Sequence, residues 1–221
     1  MVPFTIGAVA GVFVPGWGAI PGLYGRGLPD GWEALELPSY RATGGELSAY
    51  RCWLDDEIAR REGPLCLAGH SMGAALAALA AVDRPAAIGR LILLSPAGLP
   101  LKKPLIASLA TFLGQIVHGW YPVAELSRAV SAVVRSPRAA LRLARTVREL
   151  DLSPEFERLK AASVPMTVIG CSTDRLATPD HCRRLAALLG ASYRELDAPG
   201  GHIWMIAEPE LLTDALTGNL D

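Results

Sequence analysis

The chain has 221 residues, 51% of them hydrophobic and 19% charged, which is enough apolar sequence for the core of one domain but too short a chain for two. This composition excludes an intrinsically disordered chain. The formal net charge of −1 argues against a nucleic-acid partner. The basic residues between Arg128 and Arg148 have no aromatic residues among them, so they predict a solvated helix face rather than a nucleic-acid site.

The N-terminal residues 1–25 precede the first charge, Arg26, and superficially resemble a secretion signal or a membrane anchor. They have no basic n-region, and Pro3, Pro15 and Pro21 interrupt them before they reach the length of a bilayer. The sequence therefore predicts no membrane span.

The four cysteines form no C-x-x-C pair and have no histidine spacing suited to zinc. We expect them to be reduced and unpaired, as in a cytoplasmic protein, because disulfides persist mainly in oxidising compartments. They are Cys52, Cys66, Cys171 and Cys182.

Apolar runs alternate with helical patterns along the chain, which predicts an α/β fold with a mostly parallel sheet flanked by helices. The predicted strands are residues 5–14, 34–37, 65–68, 90–94, 164–170 and 193–196. The predicted helices are residues 45–61, 72–82, 181–189 and 208–216. The first of these helices has apolar residues at three- and four-residue spacing, which is typical of an amphipathic helix. Residues 1–221 are predicted to form a single domain.

The pattern changes over residues 98–162, where no strand signal appears and several helical stretches follow one another. We interpret this segment as an insertion that forms a helical lid over an apolar site. Its apolar positions include Leu105, Leu109, Phe112, Ile116, Val130 and Val134. Phe112 and Ile116 are the predicted substrate-binding residues.

The strongest chemical signal is the Gly-His-Ser-Met-Gly sequence at residues 69–73, which lies directly between a predicted strand and a predicted helix. A serine on such a sharp turn adopts strained backbone geometry, and glycines on either side remove Cβ atoms that would clash. The helix that follows points its amide groups at the site and favours a developing anion. Ser71 is therefore the predicted nucleophile.

A serine hydroxyl needs a base that accepts its proton, and the base needs an orienting group. Of the four histidines, His70 lies inside the turn, His118 in the helical insertion and His181 on a predicted helix. His202 follows the last predicted strand in a glycine-containing loop, from which its ring can reach the carboxyl edge of the sheet. His202 is therefore the predicted base.

Three aspartates in the C-terminal third compete for the role of orienting acid. Asp174 directly follows the strand predicted at 164–170 and is the preferred acid. Asp180 precedes a predicted helix and is interpreted as its N-cap, and Asp197 lies in the turn that leads out of the last strand.

Acyl transfer also needs amide donors for the oxyanion of the tetrahedral intermediate. The amide of Met72, directly after the nucleophile, is the first predicted donor. The second is expected from residues 14–18, Val-Pro-Gly-Trp-Gly, with the amide of Trp17 as the predicted group.

The order Ser71, Asp174, His202, preceded by a loop at residues 15–18, resembles the α/β-hydrolase superfamily over nearly the whole chain. Gly200-Gly201-His202 and the helix after it resemble the family's histidine loop. Two features differ from the family: the loop has Pro-Gly where members commonly have His-Gly, and too few residues precede it for two further strands. An N-terminally shortened sheet would leave an edge that could pair with a second copy, so the sequence leaves a homodimer open.

The leading functional hypothesis is a carboxylic-ester hydrolase that acts on small or medium acyl substrates through an acyl-enzyme and requires no metal or organic cofactor. C–C bond hydrolysis, thioester hydrolysis and lactone opening use the same residues and remain open. The alternative from another class is a non-catalytic binding module on the same scaffold, because a fold alone does not fix a function.

Overall fold

A computed structural model of the chain describes residues 11–116 and 122–220, with the side chain of Ile116 excepted. Six parallel strands form one sheet in the order β2-β1-β3-β4-β5-β6. They are β1 (Gly11–Val14), β2 (Trp32–Ala34), β3 (Leu65–His70), β4 (Ile88–Leu94), β5 (Met166–Cys171) and β6 (Ser192–Leu196). The predicted α/β class with a mostly parallel sheet is confirmed.

Helices connect the strands and cover both faces of the sheet. They are α1 (Tyr40–Thr43), α2 (Leu47–Ala59), α3 (Met72–Asp83), α4 (Leu105–Ile116), α5 (Val123–Arg135), α6 (Pro137–Glu149), α7 (Ser153–Lys160), α8 (Pro179–Leu189), α9 (Trp204–Ala207) and α10 (Pro209–Thr217). Short 3₁₀ turns occur at Pro21–Leu23, Pro85–Ala87 and Gly201–Ile203. Within the described ranges, no helix has the length and apolarity needed to cross a bilayer.

The N-terminal part of the sheet differs most from the sequence prediction. The strand predicted at 34–37 is wrong, because the pairing with β1 runs over Trp32–Ala34, where Gly11 lies opposite Trp32. A side chain at Gly11 would collide with the Trp32 indole, so the glycine allows this register. The strand predicted at 5–14 is observed from Gly11 onward, and its first six residues lie outside the described part.

The strand residues alternate between two apolar cores, one on each face of the sheet. Val12 and Leu67 pack on one side with α2, α3, α7 and α8, whereas Phe13 and Ala68 pack on the other side with α9 and α10. Parallel strands that are covered on both faces must be apolar throughout, which explains the continuous apolar runs in the sequence. At about 25 cal/mol per Å² of apolar surface, these two cores supply the main stabilisation of the fold.

Helix α3, which follows β3, has no solvated face in its first ten residues. Every residue from Met72 to Ala81 is buried, and most of them are alanine or leucine. Small side chains let the helix lie close to the sheet. At Gly73 the approach is closest, because a Cβ atom there would lie 2.0 Å from the carbonyl oxygen of Val14.

Residues 98–162, called the helical segment below, contain α4 to α7 between β4 and β5. The exposed large apolar side chains of the described residues all belong to this segment. They are Ile106, Leu113, Val123, Val130, Val134 and Leu141. The helical segment therefore has much less of its apolar surface covered than the sheet does.

The parallel arrangement brings four loops together at one edge of the sheet. The loop after β1 contains Trp17, the turn after β3 contains Ser71, and the loops after β5 and β6 contain Asp174 and His202. Ligands of open α/β sheets bind at this carboxyl edge. The fold thus places the predicted functional residues on one surface.

Candidate active site

The backbone at Ser71 has the strained geometry that the sequence predicts. Its φ of 53° and ψ of −114° lie outside the regions that non-glycine residues normally occupy. The amide of Ser71 donates to the carbonyl of Leu94 at 3.0 Å, which ties the turn to the neighbouring strand β4. A Cβ atom at Gly69 would lie 2.4 Å from the carbonyl oxygen of Gly73, so the turn requires glycine there.

The structure brings Ser71, His202 and Asp174 into one hydrogen-bonded line. The Nε2 atom of His202 lies 3.0 Å from the Oγ atom of Ser71, and its Nδ1 atom lies 2.9 Å from Oδ2 of Asp174. Because a carboxylate only accepts, Nδ1 carries the proton and Nε2 is left to accept from the serine hydroxyl. All three residues are at most 9% exposed.

The carboxylate of Asp174 is fixed by its own loop. Its Oδ1 atom accepts hydrogen bonds from the amides of Leu176 at 2.7 Å and Ala177 at 3.0 Å. These bonds hold the second carboxylate oxygen toward His202. The acid that faces the base is therefore both buried and fully hydrogen-bonded, as buried charges require.

The other two aspartates lie away from the base. The interpretation of Asp180 as an N-cap is wrong: Thr178 caps α8 by accepting from the amide of His181, because Pro179 occupies the first helical position. Asp180 instead bonds to Arg183 at 2.6 Å. Asp197 accepts from the hydroxyl of Ser172 at 2.7 Å, in the turn where the sequence places it.

The loop after β1 presents the predicted oxyanion donor between two anchored neighbours. The amide of Gly16 donates to the Tyr24 hydroxyl at 3.3 Å, and the amide of Gly18 donates to the Tyr40 hydroxyl at 2.9 Å. Among the described residues, the amide of Trp17 has no hydrogen-bond acceptor. The Trp17 indole nitrogen donates to the carbonyl of Ala140 at 2.9 Å, which links this loop to α6.

His70, which precedes the serine, connects this loop to the histidine loop. Its Nε2 atom lies 2.9 Å from the carbonyl oxygen of His202 and therefore donates, so that Nδ1 accepts from the Tyr24 hydroxyl at 2.8 Å. Burial, together with the neighbouring His202, lowers the pKa of His70 well below its ordinary value, which keeps the ring neutral. Burial likewise raises the pKa of Tyr24, so its hydroxyl keeps its proton.

Comparison with known proteins gives the family. The alpha/beta hydrolase family matches residues 12–215 of the chain. The protein is an α/β-hydrolase.

Solved structures agree with this assignment at the level of the fold, and a curated relative also matches the chain by sequence. An uncharacterized protein of Mycobacterium tuberculosis strain H37Rv is 27% identical over 176 residues, which are 79% of this hydrolase and 49% of that protein. The hydrolase thus spans about half the length of the curated relatives that it matches. An esterase from Exiguobacterium antarcticum superimposes with a TM-score of 0.74 at 17% identity, covering 97% of this chain and 92% of that one. A thioesterase domain from the curacin biosynthetic pathway superimposes with a TM-score of 0.63 at 22% identity, covering 93% and 89%.

The candidate site of this α/β-hydrolase opens into an apolar cavity that encloses about 700 Å³, its mouth included. Ser71 and His202 lie on its wall. The helical segment contributes most of the remainder: Leu99, Leu101, Leu105, Ser108, Leu109, Phe112, Ala144, Val147 and Arg148. We call this space the catalytic cavity.

Phe112, one of the two predicted substrate-binding residues, lies on the wall of the catalytic cavity. Its ring meets those of Trp17 and His202 edge to face, with centroid distances of 6.1 and 6.3 Å. The other, Ile116, ends α4, and its side chain lies outside the described residues.

A second apolar cavity of the hydrolase encloses about 830 Å³ with its mouth. The two cavities share Trp17, His70 and Phe112, and the second is lined further by Val130 and Val134. These three shared residues therefore form a wall common to two apolar spaces beside the candidate site. In the described part of the hydrolase, no three His, Cys, Asp or Glu side chains lie close enough together to hold a metal ion.

Proposed function

We propose that this α/β-hydrolase is a serine hydrolase that cleaves carboxylic esters through an acyl-enzyme. The observation that carries the proposal is the buried hydrogen-bonded line from Asp174 through His202 to Ser71. An aspartate in this position holds the imidazole in the tautomer that accepts the serine proton and stabilises the imidazolium that forms.

In the first half of the reaction, Oγ of Ser71 attacks the ester carbonyl carbon while its proton moves to Nε2 of His202. The carbonyl electron pair moves onto oxygen, and the amides of Trp17 and Met72 donate to this oxyanion. The intermediate then collapses, the bond to the alcohol oxygen breaks, and His202 gives its proton to that oxygen. An acyl group remains on Ser71.

In the second half, water attacks the acyl-enzyme carbonyl and gives a proton to His202. The second tetrahedral intermediate releases the carboxylic acid and returns the proton to Ser71. The helical segment acts as the lid, because its apolar side chains cover the acyl or alcohol group and exclude water from it. An ester fits this site because the catalytic cavity is largely apolar and offers no charge at the nucleophile itself.

Labelling with a fluorophosphonate probe tests this proposal. In the wild-type protein, Oγ of Ser71 should displace fluoride and form a covalent adduct that mass spectrometry locates on the peptide containing Ser71. Ser71→Ala should abolish labelling and lower turnover of p-nitrophenyl butyrate by on the order of 10³-fold or more, with an unchanged melting temperature. A properly folded protein that is neither labelled nor active would instead be a non-catalytic binding module.

A further inference from the structure

The part of the catalytic cavity's wall that the helical segment forms contains two polar side chains that the reaction does not use. Ser108 on α4 and Arg148 on α6 line the same cavity as Ser71, among leucine, valine and alanine side chains. Both come from the helical segment. Polar groups in an apolar wall lose free energy unless they find a hydrogen-bond partner, so their presence needs an explanation.

The Ser108 hydroxyl has no hydrogen-bond partner among the described residues, although the residue is only 6% exposed. A serine or threonine inside a helix often bonds back to the carbonyl four residues earlier. Thr111 on the same helix does so, with its hydroxyl 2.8 Å from the carbonyl oxygen of Ala107. The Ser108 hydroxyl makes no such bond and, within the described ranges, is left unpaired in a residue that lines the catalytic cavity.

Arg148 is held in place by its two terminal nitrogens, and its Nε donor is unpaired in the described part of the chain. Its Nη1 atom donates to the carbonyl of Lys103 at 3.0 Å, and its Nη2 atom bonds to the carboxylate of Glu149. The backbone adds a further bond, from the amide of Leu101 to the carbonyl of Arg148 at 2.9 Å. The Nε atom is buried and has no partner among the described residues.

We propose that the part of the substrate that occupies this cavity carries a neutral acceptor oxygen, such as a ketone or a second ester carbonyl, which Ser108 and Nε of Arg148 bind. This inference rests on the proposed ester hydrolysis. A neutral oxygen fits better than a carboxylate because Glu149 already bonds to the Arg148 guanidinium and the wall around it is formed mainly by apolar side chains, in which a further charge is costly to bury.

The physical basis of selection is the pairing of the two donors on binding. Neither donor has a partner among the described residues, and a substrate oxygen supplies an acceptor for them. An alkyl chain in the same place leaves both donors unpaired in an apolar wall, which is unfavourable. Sites with buried donors discriminate against analogues that lack the acceptor in this way.

The test compares esters that differ in one oxygen. For the acyl side, p-nitrophenyl hexanoate is compared with its 4-oxo and 5-oxo analogues and with the p-nitrophenyl monoester of adipic acid. For the alcohol side, pentyl acetate is compared with 4-oxopentyl acetate by pH-stat. The quantity measured is the ratio of kcat/KM for the keto ester to kcat/KM for the plain ester, after subtraction of uncatalysed hydrolysis.

We expect a keto ester of one series to exceed its plain counterpart by about tenfold in the wild-type enzyme, the effect of two hydrogen bonds. Ser108→Ala and Arg148→Lys should each lower this ratio by about threefold or more. The matched controls are Thr111→Ala, whose hydroxyl lies on the same helix outside the cavity, and Arg145→Lys, which bonds to the same Glu149 from the surface. Both controls should keep the wild-type ratio.

Each other outcome is informative. Turnover of plain esters with no keto preference, or a preference that Ser108→Ala leaves unchanged, overturns the inference and leaves ester hydrolysis standing. A preference for the adipate monoester overturns the neutral acceptor in favour of an anion. Failure of the folded enzyme to hydrolyse any of these esters overturns the proposed function and this inference with it.

Discussion

The candidate site at the carboxyl edge of the sheet and the helical segment differ in how fully their buried polar atoms are hydrogen-bonded. At the sheet edge, the side chains of Ser71, Asp174 and His202 bond to one another, and His70 is bonded at both ring nitrogens. Five buried side-chain atoms of the described residues have no partner: two, Ser95 Oγ and Trp204 Nε1, lie just after β4 and in α9, and the other three belong to the helical segment. These three are Ser108 Oγ, Gln115 Oε1 and Arg148 Nε.

The same contrast appears in the apolar side chains. The sheet is covered on both faces, whereas the exposed large apolar residues of the described chain lie in the helical segment. A site whose groups are already bonded needs no rearrangement when the reaction starts, which is the condition for electrostatic preorganisation. The difference supports the proposals that the sheet edge supplies the chemistry and that the helical segment supplies groups for a bound molecule.

Removing the charge of Asp174, the proposed orienting acid, is the strongest test of the sheet edge. Asp174→Asn should lower kcat/KM for p-nitrophenyl butyrate by about 10⁴-fold, because an amide favours the wrong imidazole tautomer and no longer stabilises the imidazolium. Asp180→Asn and Asp197→Asn are the matched controls and should retain nearly full activity. Collapse of either control, together with near-normal Asp174→Asn, would mean that another carboxylate orients His202.

Removing the Tyr24 hydroxyl, which connects the loop after β1 to His70, should lower activity less than the change at Asp174. Tyr24→Phe leaves the amide of Gly16 and Nδ1 of His70 without partners, which should cost about 1–3 kcal/mol of stability. We expect kcat to fall by about tenfold as well, because Tyr24 holds both the loop that carries the Trp17 amide and His70, which is bonded to the carbonyl of His202. The free energy of unfolding is measured by urea denaturation, and kcat is measured with p-nitrophenyl butyrate.

The control for this prediction is Tyr40→Phe. Tyr40 accepts from the amide of Gly18 in the same loop but has no hydrogen bond to a histidine. It should lose stability with a smaller fall in kcat. Equal falls in the two variants would show that His70 contributes nothing specific to the alignment of the site.

The smallest effect on activity is expected from a change at Phe112, the residue of the helical segment that contacts Trp17 and His202. Phe112→Ala should join the two apolar cavities and raise the activity on p-nitrophenyl octanoate relative to acetate by several-fold, the effect of burying about one further methylene at about 0.8 kcal/mol. Ile106→Ala on the same helix is the control, because Ile106 is 82% exposed and lines neither cavity. A uniform change at all chain lengths would assign Phe112 to packing.

The sheet edge was largely predictable because its residues follow strands. A glycine-flanked serine between an apolar run and an alanine-rich run is recognisable locally, and Asp174 and His202 each follow a strand end. The weakest strand prediction was β2, which has three residues at the edge of the sheet. There the pairing of Trp32 with Gly11 decides the register, and no local sequence pattern predicts this pairing.

The helical segment was predictable as helices but not as a binding surface. Arg148 belongs to a run of arginines at three- and four-residue spacing, and nothing in the sequence separates it from Arg145. Its burial depends on contacts with the loop at Leu101 and Lys103. The bond between Tyr24 and His70 joins residues 46 apart, and no periodicity of either element encodes it.

The burial of helix α3 has a consequence for the order in which the protein acquires activity. This helix packs against strands β1, β3 and β4 and also against α2 and α7, which come from opposite halves of the chain. Because residues 72–81 have no face suited to water, the helix reaches its final position only when both halves have closed around it. The strained turn at Ser71 is the N-terminus of that helix, so recovery of labelling at Ser71 during refolding reports completion of the whole fold rather than of a part.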